Sequence, residues 1–436
     1  MRAWSRVTGD ERCVQGQQGP ALWLRRGLAA LLGLATAAIA ANATGDTRSR
    51  LEAAARASLG GPASAQAQQE EDRLRKLEES RTPILDRALN PVEAARDRLR
   101  EDTGLSLSAD YQALYQRASH SNTLDKDGAT GQVRLLGTWT LLDRGGDDSG
   151  SFIFILENRH RLGTVLGAAG LGGAIGYSGA QAVTFNDADS ILSVAHWAQS
   201  LGGGRGGVVA GRIDPGDYTD ILGYVNPRTT FQNFAILFSP VVPIPDPGFG
   251  AGGGVFLSDQ VYTLGLVSDA NGSLTDVEWF PGGNEFFKYA ELGWTPAQDQ
   301  RYLTNLHVGV FHVDARQGIG APSNRGITVS GNYTFDDSVM LFGRLGWADG
   351  TTSIAERAVN LGLLWRPGWY DDLVGAGVTV ADPADDSRDT QTTVEAFYRL
   401  DISDNVAATG SMQYLRNPGY STSDPWLFGL RLRVNL

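Results

Sequence analysis

Cysteine is almost absent from this chain. The single one, Cys13, falls in an N-terminal targeting region, so the exported chain has neither a disulfide framework nor thiolate chemistry. Methionine is scarce, at 3 of 436 residues. After residue 43 no apolar run approaches the roughly 20 residues that a membrane helix needs. Mean hydropathy is −0.19, which reads as soluble, yet a β-barrel hides behind such a value because half of each strand is polar. No phosphate-cradling Gly-x-x-x-x-Gly-Lys loop and no Gly-x-Ser-x-Gly elbow occurs. Histidines number five, and His307 and His312 are five apart on a predicted strand, so they face opposite ways and form no chelating pair. His312 and Asp314 share a face, but no nucleophile accompanies them, and a lumenal hydrogen bond explains them better than catalysis. The expectation is therefore no enzyme, no cofactor and no metal.

Excess positive charge is missing too. The net charge is −12, and removing residues 1–43 takes five basic and two acidic residues, leaving −15. That argues against a nucleic-acid partner, although an acidic chain can still carry a basic constriction. Residues 1–43 read as a cleaved signal peptide: Arg25 and Arg26 precede an apolar run to Ala40, with small-residue cleavage sites at 38–40 or 41–43. The stretch ahead of Arg25 is long and carries Asp10 and Glu11, so the true start can lie downstream of Met1.

What is abundant is glycine, 55 residues of it, and alternation at period two. From Ile327 to Phe335 the odd positions are Ile327, Val329, Gly331, Tyr333 and Phe335, against Thr328, Ser330, Asn332 and Thr334. The last segment sets Phe428, Leu430, Leu432, Val434 and Leu436 against Gly429, Arg431, Arg433 and Asn435. Strand side chains point to opposite faces in turn, so each segment has one apolar and one polar face. Repeated strand after strand at about ten residues each, this predicts an all-β transmembrane antiparallel barrel with lipid outside and water inside.

The signal begins at Leu105, and residues 102–436 are expected to form the barrel. Leu105, Leu107, Ala109 and Tyr111 oppose Ser106, Ser108, Asp110 and Gln112, and Val133, Leu135 and Trp139 oppose Arg134, Thr138 and Thr140. Further strands are expected at 151–161, 191–198, 206–214, 231–238, 260–267, 286–295, 302–314, 326–335, 338–347, 357–366, 373–381, 391–400, 405–415 and 427–436, about 16 in all. Linkers near the C-terminus alternate short and long, as periplasmic turns and external loops do. Tyr333, Phe335, Trp347, Trp365, Trp369, Tyr370 and Trp426 sit near strand ends, as an interfacial girdle would. Residues 239–258, with Pro243, Pro245, Pro247 and glycines 250 and 252–254, are not expected to be ordinary strand; they form an inward-folded or a long external loop. Before the barrel, 44–69 reads as a flexible leader. Residues 70–101 read as a short periplasmic helix, either a solvated tether or a weak trimerising coiled coil whose heptad is spoiled by Arg81, Pro83 and Pro91.

Arg212 and Asp214 share a parity opposite Val209 and Ile213, so both are expected in the lumen. There a guanidinium and a carboxylate either clasp vicinal sugar hydroxyls or form a salt bridge that stiffens the wall. Strand 151–161 is apolar on both faces around Phe152–Leu156, so parity alone does not assign Glu157 or Arg159. Several blocks then resemble the carbohydrate-selective porin family of OprB type: Arg-Asp-Arg-Leu-Arg at 96–100 leading into Leu105-Ser106-Leu107-Ser108; Leu-Glu-Asn-Arg-His at 156–160; 211–218; 311–316; 395–399; Gln413-Tyr414; and Asn417-Pro418-Gly419. The resemblance spans about 92–436 and implies a 16-stranded barrel that passes mono- and small oligosaccharides through an arginine-lined constriction. On that basis Arg134, Glu157, Arg159, Arg212 and Asp214 are the lumenal candidates. The partners it implies are sugars as permeants, outer-membrane lipid and the barrel-assembly machinery, with monomer and homotrimer both open. Two other readings stand beside it. One is a general or anion-selective porin on the same barrel, given Arg344, Arg366, Arg399, Arg431 and Arg433. The other is an envelope-anchoring protein acting through 44–101.

Overall fold

In the computed structural model the chain is described over residues 45–75, 80–368 and 370–436. The expected signal peptide with Cys13, residues 76–79 of the expected periplasmic helix and Trp369 of the girdle lie outside them. Three helices come first: α1 (Gly45–Ala57), α2 (Ala65–Leu74) and α3 (Pro83–Thr103). Helix α3 ends at Gly104, whose φ of 75° lets its N–H turn back onto the Arg100 carbonyl before the chain enters the first strand. The strands are β1 (Leu105–Ala118), β2 (Asp127–Leu142), β3 (Gly150–Arg161), β4 (Asp189–Leu201), β5 (Gly206–Ile213), β6 (Gly248–Phe256), β7 (Val261–Asp269) and β8 (Phe286–Trp294). They continue as β9 (Thr304–Val313), β10 (Asn324–Phe335), β11 (Val339–Asp349), β12 (Ala355–Trp365), β13 (Leu373–Pro383), β14 (Gln391–Asp401), β15 (Val406–Arg416) and β16 (Trp426–Asn435). No helix among the described residues is long and apolar enough to cross a membrane.

Each strand pairs antiparallel with the next, and β1 pairs with β16 from Asp110↔Asn435 to Ala118↔Leu427. Closure leaves no unpaired edge, which is what lets a sheet stand in hydrocarbon. The alternation holds: Ile327, Tyr333 and Phe335 are exposed on the outside, while Thr328, Ser330 and Asn332 are buried inside. His307 and His312 do face opposite ways, one buried and one half-exposed. The His312–Asp314 contact, at 3.2 Å, lies on the face of β9 opposite lumenal His307, beside Lys288, rather than in the lumen. All strands end at two rims. One carries 143–149, 202–205, 257–260, 295–303, 336–338, 366–372 and 402–405, together with the start of β1 and the end of β16. We call it the turn rim; the other, the loop rim, carries among others the long loops 162–188, 214–247 and 270–285.

One expected strand is elsewhere. Residues 231–238 contain the short helix α4 (Phe234–Leu237), and the sixth strand is Gly248–Phe256, inside the glycine-rich stretch not expected to be ordinary strand. The apolar character of Phe231, Ile236 and Leu237 serves packing inside the barrel, against Phe342, Leu364 and Phe397, and not contact with lipid. Glycine in β6 serves close approach: a Cβ at Gly250 would stand 2.9 Å from Ile213 Cδ1, and one at Gly252 2.9 Å from Leu266 Cδ1.

The leader also differs from expectation. Residues 45–75 are ordered as α1 and α2, and they lie inside the mouth at the turn rim, with Leu51, Ala54, Ala55, Ala65 and Ala67 buried. Alanine favours the helix and its small side chain permits close packing. Ala65 packs on Leu136, Ile153, Ile155 and Val194, which explains why β3 is apolar on both faces. Helix α3 has no buried residue in the single chain, and Ile84 is 82 % exposed.

Candidate functional site

The register of the first three strands builds a row of charge across the lumenal wall. Asp110 of β1 stands opposite Arg134 of β2, and Arg134 opposite Glu157 of β3. One step along, Gln132 stands opposite Arg159. All five are buried on the inner face. Glu157 is the hub. Its carboxylate lies 2.7 Å from Arg159 Nη2, 3.6 Å from Arg134 Nε and 3.7 Å from Arg228 Nη2. It also accepts hydrogen bonds from Gln132 Nε2 at 2.6 Å and from Ser193 Oγ at 2.9 Å. Arg134 Nη1 reaches Asp110 Oδ2 at 3.1 Å. Three guanidiniums are thus fixed around one carboxylate, a rigid cluster of donors and acceptors.

Arg228 comes from loop 214–247, which folds into the barrel. Asp220 in this loop forms an ion pair with Arg344 Nε of β11 at 2.9 Å and meets His307 Nε2 at 3.0 Å, and Ser330 Oγ donates to it at 2.6 Å. Farther along, the backbone N–H groups of Gln232 and Asn233 donate to Glu395 of β14, each at 2.8 Å. Arg431 of β16 donates to the carbonyls of Pro227 and Thr230. The loop therefore bridges walls on opposite sides. Loop 162–188 packs on it, with the Tyr177 hydroxyl donating to Asn233 Oδ1 at 3.1 Å and the Ala182 N–H to the Gln232 carbonyl at 2.8 Å.

Of the expected residues, Arg134, Glu157 and Arg159 are brought together. Asp214 starts a turn and accepts from the Gly216 N–H at 2.9 Å. Arg212 stands apart, a correction to the parity reading. Val209 and Ile213 turn inward against Tyr218 and Val241, and Arg212 pairs with Ala195 on the other face. There its guanidinium donates to the carbonyls of Leu192, Ser273, Leu274 and Asp276, fastening loop 270–285. The parity reading took apolar Val209 and Ile213 for lipid-facing, whereas the infolded loop makes part of the lumen apolar. The same cause hid Arg228, because loop residues have no strand parity. Asp110 and Gln132 were legible as polar partners of lipid-facing neighbours.

The N-terminal helices also reach this site. Arg134 Nη1 donates to Gln68 Oε1 at 2.9 Å, Thr138 Oγ1 donates to Gln69 Oε1 at 2.7 Å, and Asp72 pairs with Arg433 at 2.6 Å.

Comparison with known proteins agrees with this architecture. Residues 296–436 match the family described as "Carbohydrate-selective porin, OprB family", so the resemblance read from the sequence blocks is borne out there. Among solved structures, the high-pH structure of Pseudomonas putida OprB is similar with TM-score 0.62 at 15% identity, covering 78% of this chain and 96% of that one. A variant of the Rh. blastica porin gives TM-score 0.46 at 15% identity, covering 76% of this chain and 100% of that one. No curated protein matches the sequence.

Proposed function

We propose that this chain is an outer-membrane porin for passive diffusion of mono- and small oligosaccharides, with Arg134, Glu157, Arg159 and loop-borne Arg228 at its narrow point. The observation that carries the reading is the Glu157 hub, where guanidiniums at 2.7, 3.6 and 3.7 Å surround one carboxylate. Such a ring offers paired donors and acceptors, and with Asp110 on Arg134 two carboxylates offset two of the three guanidiniums, which suits neutral polyols. The turn rim faces the periplasm and the long loops face outward. The signal peptide is removed at 40 or 43, and β16 guides insertion by the assembly machinery. The protein is a channel and not an enzyme, and transport follows the gradient.

Uptake by proteoliposomes tests this, using glucose, a disaccharide and a charged solute of similar size. Glucose is expected to enter faster than the charged solute, and Arg134→Ala should reduce that preference. Equal uptake of all three solutes would leave a general porin in its place.

A further inference from the structure

The lumen of this barrel is filled. Asn360, Thr379 and Gln413 point inward from the wall, yet each is only 1 % exposed. Two segments fill it, and they are held by different forces. Loop 214–247 joins strands at both ends and buries Leu222, Tyr224, Val225, Phe231, Ile236 and Leu237 against Met340, Phe342 and Phe397 of the wall. Pulling that surface out of the apolar cluster would expose all of these large side chains to water at once.

Residues 45–75 are held otherwise. They join the barrel in sequence only through α3, and their few large apolar contacts are set among alanines and polar groups. Arg301 and the Tyr302 hydroxyl donate to the carbonyls of residues 58–60, and the rest of the polar grip is a set of ion pairs: Arg48 to Asp337 at 2.9 Å, Arg50 to Asp371 at 2.8 Å, Arg56 to Asp299 at 2.7 Å, Asp72 to Arg433 at 2.6 Å, and Arg75 to Asp401. Those partners lie on the turns after β8, β10 and β12, at the end of β14 and on β16, while Gln69 reaches Ser106 and Leu136 carbonyls of β1 and β2. The segment thus spans the mouth from wall to wall. Open clefts of about 610 and 520 Å³ flank it at the turn rim, and neither is lined by Arg134, Glu157, Arg159 or Arg228. Above it, the Gly61 N–H donates to the Asp217 carbonyl of loop 214–247 at 2.7 Å, so the two segments close on each other.

We propose that residues 45–75 form a displaceable plug, which closes the channel from the turn rim and withdraws to open it. The inference rests on the channel reading. Charge pairs that part into a flooding lumen recover their hydration on both sides, so their separation costs far less than breaking a pair that stays dry. The infolded loop, fixed by apolar burial, remains as the permanent constriction. Gln68 on Arg134 places the plug directly beneath the site a permeant must cross.

A cysteine tether in the full chain tests the plug. A Cβ at Gly61 would stand 2.7 Å from Ile221 Cγ2 and 3.3 Å from its Cγ1, close to the span of a Cβ and the far sulfur across a disulfide. Gly61→Cys with Ile221→Cys, in a Cys13→Ser background, is reconstituted in a planar bilayer and its potassium chloride conductance recorded. Under oxidant the channel is expected to stay closed, and reduction should restore conductance several-fold. Equal conductance in both states would overturn the proposal, because the plug would then not obstruct the path. Silence in both states would overturn it too, because the plug would not leave, and so would failure of the two thiols to crosslink. Arg50→Ala with Arg75→Ala supplies a second route, expected to raise the open fraction without any tether; an unchanged open fraction there would count against release. Conductance is read here with ions alone, so a plug that gates while sugars show no preference would defeat the carbohydrate reading and leave this one standing.

Discussion

Glu157 accepts from two neutral donors and faces guanidiniums of Arg134, Arg159 and Arg228, so its single negative charge compensates more than one partner. Glu157→Gln keeps the size of the side chain and removes the charge. A unit charge at 4 Å contributes about 1 kcal/mol even in water, roughly a fivefold change in local ion occupancy. The expected outcome is a shift toward chloride, read as the reversal potential in a potassium chloride gradient. Arg212→Ala should act differently. That guanidinium holds the 270–285 carbonyls. Its loss should speed proteolysis of that loop while leaving the reversal potential where it was.

At the scale of elements, the infolded loop fills the lumen, and Asp220 is its charged anchor. Its φ of 53° is a left-handed backbone that Asn also adopts, so Asp220→Asn isolates the charge from the conformation. Arg344, 2 % exposed, then loses its carboxylate. Removing one partner of a buried pair costs about 3 to 5 kcal/mol, and here the cost falls on loop docking, since the strands keep their ladder. Larger and noisier single-channel currents are expected, with the barrel's heat-induced unfolding in detergent little changed. Phe231→Ala attacks the same element through packing. Phe231 is fully buried with its ring 5.0 Å from that of Phe397 and 5.8 Å from that of Phe342, and deleting such a ring costs about 3 to 5 kcal/mol. Its currents should resemble those of Asp220→Asn.

Taken whole, the molecule is a closed sheet around a filled lumen, and its acid response should come from the pairs that seat the plug. Burial alone would raise the Asp371 carboxyl, but Arg50 and Arg75 of the plug, with Arg399 and Arg366 of the wall, outweigh it and hold the group well below the usual carboxylate range. A carboxylate depressed on docking stabilises the docked state fully above its ordinary value of about 3.9, and that contribution fades only as pH falls through the lower docked value. Plug closure is therefore expected to be unchanged from neutral pH down to about 4.5 and to weaken only in stronger acid, which bilayer recordings across that range would show. A rise in conductance already at mildly acidic pH would place the controlling group elsewhere.

Period-two alternation pointed, from sequence alone, to an antiparallel barrel of about sixteen strands, one of them misplaced, because only side-chain parity is needed to sort lipid from lumen. It equally exposed Arg134 as lumenal, since Val133 and Leu135 on either side are lipid-facing. Where parity stopped, so did the reading. The apolar lumenal side of β3, the apolar run at 231–238 and the glycines of β6 all follow from what fills the barrel: Ala65 against Ile153 and Ile155, Phe231 against Phe342 and Phe397, and Ile213 and Leu266 against Gly250 and Gly252. A strand reports in its own sequence which of its faces meets lipid. Whether its other face meets water, a loop or the chain's own N-terminus depends on contacts between residues far apart in sequence, and those only the tertiary structure decided.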